Sequence, residues 1–186
     1  MRILVNLTAA AVLVVSAGCR NTGRSVDTVV PNELGRTQAA YTGQFGAATS
    51  SPVTPDRVVF TAAPGTRLVA RFVAGKSVEE LWIIDADGAG VPAALAERAQ
   101  ALLASEPAPV RTIVFRAEGR PHAETFEEAL GAGLLRVERR NGRLSRIALC
   151  ADRTACVMLG QMQESELAVD EMMAAGLKAM RAQQQH

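Results

Sequence analysis

The sequence predicts an α+β domain built on a mainly antiparallel sheet of about five to seven strands, with two or three helices packed on one face. Two observations lead to this class. Short segments rich in β-branched and aromatic residues follow one another, with glycine- or proline-containing turns between them. The helical patterns stand between runs of such segments instead of alternating with each one, so the strands are expected to pair as antiparallel neighbours.

Three strands are predicted before the first helix, at residues 57–62, 66–74 and 78–85. Turn signals at Pro64-Gly65 and at residues 75–77 separate them. The third strand is apolar on both faces over residues 81–84, which predicts a central position in the sheet. Residues 92–105 predict a helix, because proline suits its first turn, alanine is abundant and the apolar side chains form one stripe.

The second half is predicted as a strand at 110–117, a helix at 124–135, strands at 135–140, 143–150 and 156–160, and a helix at 164–182. Asn141-Gly142 is the strongest hairpin signal, because a type I′ turn needs positive φ at both positions. The helix at 124–135 is inferred from Phe126, Leu130 and Leu134, which recur every four residues. The last helix is amphipathic, and its expected inward residues are Leu167, Met172, Met173, Leu177 and Met180.

The first nineteen residues have the pattern of a secretion signal. Arg2 precedes an apolar run over residues 3–15, which is too short for a bilayer-spanning helix of about 20 residues. Ser16-Ala17-Gly18 then stands directly before Cys19. This ending resembles the lipobox of bacterial prolipoproteins, although leucine or valine is commoner at the position of Ser16. The resemblance covers only this stretch and identifies no family for the rest of the chain.

The resemblance implies that residues 1–18 are removed and that Cys19 carries a thioether-linked diacylglycerol, with an acyl chain such as palmitate on its amine. Acyl chains of this kind hold a protein firmly on a membrane. Arg20 stands where many lipoproteins retained in the inner membrane have aspartate. The expected location is therefore the periplasmic face of the outer membrane, and the alternative is the outer face of the cytoplasmic membrane.

A flexible tether is predicted to follow the lipid. Residues 19–56 are rich in proline, glycine, serine and threonine and have little apolar periodicity, although a short strand near residues 26–30 is left open. A tether of this length would allow a domain at 57–186 to work away from the membrane surface.

Charge and composition exclude several classes of function. Removal of Arg2 with the signal leaves 19 cationic against 19 acidic residues, and a neutral chain does not suit nucleic-acid binding. The two histidines, His122 and His186, belong to no ligand cluster, so no metal site is expected. No phosphate-binding loop or nucleophile motif is present, and glutamates near His122 suit a solvated helix face. We therefore expect no cofactor and no catalytic residue.

The remaining cysteines are Cys150 and Cys156. If lipid occupies Cys19, these two form an even pair, which in an oxidising compartment predicts a disulfide closing a small hairpin. The bridge would rigidify a tip that contains Arg153.

An arginine cluster surrounds the Asn-Gly turn, at Arg136, Arg139, Arg140, Arg143 and Arg146. One interpretation is a solvated hairpin whose charges discourage aggregation and pair with acids early in the last helix, at Glu164, Glu166, Asp170 and Glu171. The other is a surface for an anionic partner, together with Arg153: lipid headgroups, cell-wall polymer or an acidic protein.

The function expected from these observations is that of a non-enzymatic envelope lipoprotein. Its partners would be the membrane, through the lipid, and another envelope protein that it binds or helps to assemble. Two alternatives stay open: an envelope hydrolase whose site forms only in the folded chain, and a lipid-anchored effector or toxin.

Overall fold

One antiparallel sheet of eight strands organises the residues that the structure describes. The computed structural model describes residues 33–50, 54–85, 88–105, 107–114 and 122–183, so the predicted signal peptide and Cys19 lie outside it. In chain order the elements are α1 (Gln38–Phe45), β1 (Thr49–Ser50), β2 (Arg57–Ala63), β3 (Thr66–Val73), β4 (Lys76–Ile84), α2 (Ala93–Ala104), β5 (Arg111–Val114), β6 (His122–Leu130), β7 (Gly133–Arg140), β8 (Arg143–Cys150) and α3 (Met158–Gln183). The predicted α+β class is confirmed, with seven full strands beside the two-residue β1.

The sheet consists of two four-stranded halves. The strand order is β1-β2-β3-β4-β8-β7-β6-β5, and every neighbouring pair is antiparallel. Each half is preceded by a helix, α1 or α2, and the halves meet where β4 pairs with β8. This central pairing runs from Glu79 opposite Cys150 to Ile83 opposite Arg146. The predicted central position of the third full strand is therefore confirmed.

The β7–β8 hairpin forms at the predicted turn. Asn141 has φ 50° and Gly142 has φ 74°, the two positive values that a type I′ turn requires. Ala74 and Gly75 repeat this geometry between β3 and β4, with φ 49° and 76°.

The predicted helix at 124–135 is wrong, because the segment forms β6 and the start of β7. A spacing of four residues satisfies a strand as well as a helix, since four is a multiple of the strand's period of two. Phe126 and Leu130 thus lie on one face of β6 and are both buried. Gly131, with φ 64°, lies in the turn that separates the strands.

The predicted strand at 156–160 is also wrong. Cys156 lies in a turn, and α3 begins at Met158, six residues before the predicted start. The backbone N–H of Met158 donates to the buried carboxylate of Glu79 at 2.7 Å, which satisfies one of the free donors at the helix start.

Helices cover both faces of the sheet, whereas the sequence predicted helices on one face. On the first face, α1 and α2 contribute Tyr41 and Leu95 to a core that includes Trp82. On the second, α3 contributes Met158 and Leu159 to another core. Among the described residues, no helix is both long and apolar enough to cross a membrane.

The predicted tether at 19–56 is wrong over residues 33–50 and 54–56, which belong to the domain; residues 19–32 and 51–53 lie outside the described chain. Tyr41 of α1 is fully buried, and its ring stacks on Phe60 with centroids 5.6 Å apart. The Thr37 side chain accepts from Ala40 N and caps α1. The proline- and glycine-rich composition obscured this helix, although Tyr41 and Phe45 share one of its faces.

The inward face predicted for the last helix is mostly wrong. Leu167 packs against the small core formed by Ile113 and Ala123. The other expected core residues, Met172, Met173, Leu177 and Met180, are between 47% and 68% exposed. The residues of α3 that are buried lie earlier in the helix, at Met158, Leu159, Gln163 and Asp170.

Candidate partner-binding site

The six arginines predicted to bind a partner do not form one surface. Arg136, Arg139, Arg140, Arg143 and Arg146 lie on the β7–β8 hairpin, and Arg153 lies in the turn between β8 and α3. Arg153 lines a separate cavity of about 390 Å³ beside α2 and β6. Arg140 and Arg146 pair with α3, Arg136 and Arg139 pair with β6, and a groove near α2 is edged by Arg139, Arg140 and Arg143.

Arg146 anchors α3 to the sheet. Its guanidinium is buried, donates from Nη1 to Glu138 Oε1 at 3.1 Å, and pairs through Nη2 with Glu166 of α3. Glu138 also accepts from Ser145 Oγ at 2.7 Å and from Gln163 Nε2 at 2.5 Å. Burial raises the pKa of Glu166, but hydrogen bonds from arginine outweigh it and hold that pKa below its usual range. Arg146 is therefore a structural residue rather than a partner-binding one.

Arg136 and Arg139 are also paired. Arg136 forms an ion pair with Glu127, and its Nη1 donates to the backbone oxygen of Cys156 at 2.9 Å. Arg139 donates from Nε to Glu124 Oε2 at 2.8 Å, and its guanidinium lies 4.9 Å from the centroid of the Phe126 ring. The interpretation in which arginines pair with acids is confirmed for Glu166, and the strand β6 supplies further acids that the sequence had placed on a helix.

The carboxylates near His122 are therefore engaged in pairs between elements. These pairs are Arg139–Glu124, Arg136–Glu127 and Arg98–Glu128. They join β6 to β7 and to α2. Each glutamate accepts from an arginine, an arrangement suited to holding the sheet and α2 together rather than to moving protons.

Arg143 is the exposed arginine at the tip of the hairpin, and within the described part of the chain it forms no ion pair. Together with Arg139 and Arg140 it edges a groove of about 1030 Å³ between the hairpin and α2. We call this the arginine groove, lined among others by Gln100, Leu103, Arg139, Arg140, Arg143 and Leu144. Arg140 also donates from Nη2 to Glu166 at 2.7 Å, so Arg143 is the cation most accessible to a ligand.

The predicted disulfide is confirmed, with sulfur atoms 2.05 Å apart between Cys150 and Cys156. It joins the end of β8 to the turn before α3, whereas the sequence suggested two facing strands. The buried carboxylate of Glu79 lies beside the bridge, close enough for the three groups to hold a metal ion by distance alone. The sulfurs are in a disulfide and offer no thiolate. Glu79 is itself bonded, since Arg71 Nε donates to it at 3.2 Å.

A second buried carboxylate, Glu80, lies on the other face of β4. Its Oε1 lies 2.5 Å from the Tyr41 hydroxyl and its Oε2 accepts from Trp82 Nε1 at 3.1 Å, and the Tyr41 hydroxyl lies 2.8 Å from Ser77 Oγ. Burial raises the pKa of Glu80 to about 8. Burial and the neighbouring Glu80 also raise the pKa of Tyr41. This cluster was not predicted from the sequence, because the residues around Tyr41 have the composition of a tether.

Comparison with known proteins gives no relative on which to base a function: no family model, curated protein or solved structure matches the chain significantly.

Proposed function

We propose that the chain is a lipid-anchored envelope lipoprotein whose domain binds another envelope protein and has no catalytic role of its own. The lipid on Cys19 would hold it on the periplasmic face of the outer membrane, or on the outer face of the cytoplasmic membrane. Because the folded domain includes Glu33, the fourteen residues from Cys19 to that point can span at most about 50 Å. The domain would therefore work close to the membrane.

The observation that carries this proposal is the arginine groove. Its edge presents three guanidinium groups, whereas Asp85 is the acid that lines it among the described residues. Arg139 and Arg140 are partly neutralised by their glutamates, so the exposed Arg143 gives the groove its available positive charge. A groove of this size with an arginine edge and with Leu103 and Leu144 in its wall fits an acidic peptide segment that also carries apolar side chains.

The chemistry of the described residues favours binding over catalysis. The described residues that line the arginine groove include neither histidine nor cysteine, and Asp85 in this lining is more than half exposed and lies 3.5 Å from Arg67. The buried glutamates with raised pKa values, Glu79 and Glu80, are enclosed and hydrogen-bonded to structural partners. A general base needs access to a substrate proton, which these positions do not provide.

The test is site-specific photocrosslinking in intact cells that express the full chain. A photoreactive residue replacing Leu144 should capture one defined protein, and Arg143→Glu in the same chain should lower its yield at least tenfold. Lys76→Glu is the matched control. Lys76 is exposed at the start of β4, about 26 Å along the strand from Ile84, which lines the groove. Equal capture by wild type and Arg143→Glu, or capture of lipid alone, would contradict the proposal.

A further inference from the structure

The C-terminal half of α3 is largely exposed to solvent. The helix has 26 residues and is about 39 Å long, but its last buried residue is Asp170. Of the thirteen residues from Glu171 to Gln183, Ala174 is half-buried and the other twelve are exposed. An isolated helix of that length is only marginally stable in water, so a partner that packs on this half would stabilise it.

An apolar stripe follows this half of the helix. It consists of Val169, Met172, Met173, Gly176, Leu177 and Met180, whose spacing of three or four residues places them on one face. The five side chains are 47% to 68% exposed. At 100° per residue, Glu171, Lys178 and Arg181 all lie outside the stripe. A continuous exposed apolar face of this size on a well-packed domain is typical of an interaction surface.

We infer that the apolar stripe pairs with the same stripe of a second copy of the chain, with the two helices antiparallel. The stripe is self-complementary about a point between Ala174 and Ala175. A two-fold axis there places Val169 level with Met180 of the second copy and Met173 level with Gly176 of the second copy. Met172 and Leu177 lie on either side of the row formed by Val169, Met173, Gly176 and Met180.

Gly176 supports this arrangement. A Cβ added to Gly176 would meet no atom within 4 Å, so the surface in front of it is open. The glycine leaves a shallow gap opposite the long side chain of Met173, and a large residue facing a small one is how antiparallel helices approach closely. A single two-fold axis makes the contact closed, since each copy uses the same patch.

The exposed area of the stripe reaches the lower limit for a specific dimer. The five side chains expose roughly 100 Å² each, so their complete burial in both copies would remove about 1000 Å² from water, which is that limit. The inference does not depend on the arginine groove, which lies beside α2 and the β7–β8 hairpin.

The arrangement is tested by cysteine pairing in intact cells that express two differently tagged full chains. One copy carries Val169→Cys and the other Met180→Cys, and a mild oxidant should join the two tags. Met180→Cys in both copies should give no dimer, because a two-fold axis separates these positions by about 16 Å along the helices. Cross-linking between two Met180→Cys copies would show parallel helices, and no cross-linking in either pair would show no such contact; each result overturns the inference.

A substitution tests the energetics independently. In the purified full chain in detergent, Met180→Glu should raise the dissociation constant of the dimer at least tenfold in analytical ultracentrifugation, because it places a carboxylate against Val169 of the second copy. Ala182→Glu is the matched control: it adds the same charge to the same exposed turn on another face. Fluorescence of the buried Trp82 verifies that both variants are folded. Equal dissociation constants in the two variants would refute the inference.

Discussion

Replacing Glu80 with glutamine should change the pH dependence of stability more than any substitution of an exposed acid. In the folded chain the neutral carboxyl can donate to the Tyr41 hydroxyl, which in turn donates to the backbone oxygen of Glu33 at 2.8 Å. The other carboxyl oxygen still accepts from Trp82. Glutamine reproduces this pattern, with its amide N–H toward Tyr41 and its oxygen toward Trp82.

The sign follows from the raised pKa. Glu80 has a pKa of about 8 in the folded chain and an ordinary value of 4.5. Between these values the folded state binds more protons than the unfolded state, so the free energy of unfolding falls as the pH rises. At 1.4 kcal/mol per unit of pKa, Glu80 lowers stability by about 3 kcal/mol at pH 7 and about 4 kcal/mol at pH 8, relative to pH 4.

Urea unfolding followed by Trp82 fluorescence between pH 5 and 8 measures this effect. The difference in unfolding free energy between Glu80→Gln and wild type should be small at pH 5 and reach several kcal/mol in favour of glutamine at pH 8. Other acids contribute equally to both proteins, so they cancel in the difference. Glu97→Gln, at an exposed position of α2, is the control and should give no such trend. A difference between Glu80→Gln and wild type that does not vary with pH would refute the reasoning.

Three further substitutions test the rest of the fold, each by urea unfolding at pH 7. Arg146→Ala should lower the unfolding free energy by about 3 kcal/mol, because it removes the buried guanidinium shared by Glu138 and Glu166 and leaves Glu138 paired only with Arg140, at 3.3 Å; a loss under 1 kcal/mol would contradict this role. Cys150→Ser should lower it by about 2 kcal/mol or more, the loop-closure estimate, and an unchanged midpoint would contradict a structural bridge. Gly90→Ala should lower the unfolding free energy more than Gly142→Ala does. Both glycines have positive φ, but only at Gly90 would an added Cβ lie 3.0 Å from Ala62 backbone atoms, so equal decreases in the unfolding free energy would contradict this.

Local chemistry made part of the fold predictable. The Asn141-Gly142 hairpin depends on two adjacent residues that tolerate positive φ, and the central strand depends on an apolar run within β4. The disulfide followed from counting cysteines after one was assigned to lipid. The hairpin and the central strand are each determined by a few adjacent residues, and the disulfide was predicted from the number of cysteines.

The errors arise where a pattern fits two structures or where the partner is distant in sequence. The spacing of Phe126 and Leu130 satisfies a helix and a strand equally, and only the pairing of β6 with β7 decides between them. The stripe of α3 looks like a core face, but its side chains from Met172 to Met180 are about half exposed or more. The arginine groove shows the same limit: the cluster is visible in the sequence, whereas its division between ion pairs and the exposed Arg143 depends on long-range contacts.

The junction between the two halves of the sheet has a consequence for how fast the chain folds. The hairpins within each half join residues close in sequence, but Glu79 and Cys150, which face each other in the central pairing, are separated by 71 positions. Closing such a long loop is entropically slow, so we expect each half to collapse early and the β4–β8 contact to form in the rate-limiting step. Substitutions at this junction, such as Ala148→Gly, should then slow refolding, whereas substitutions on the outer strand β5 should mainly speed unfolding.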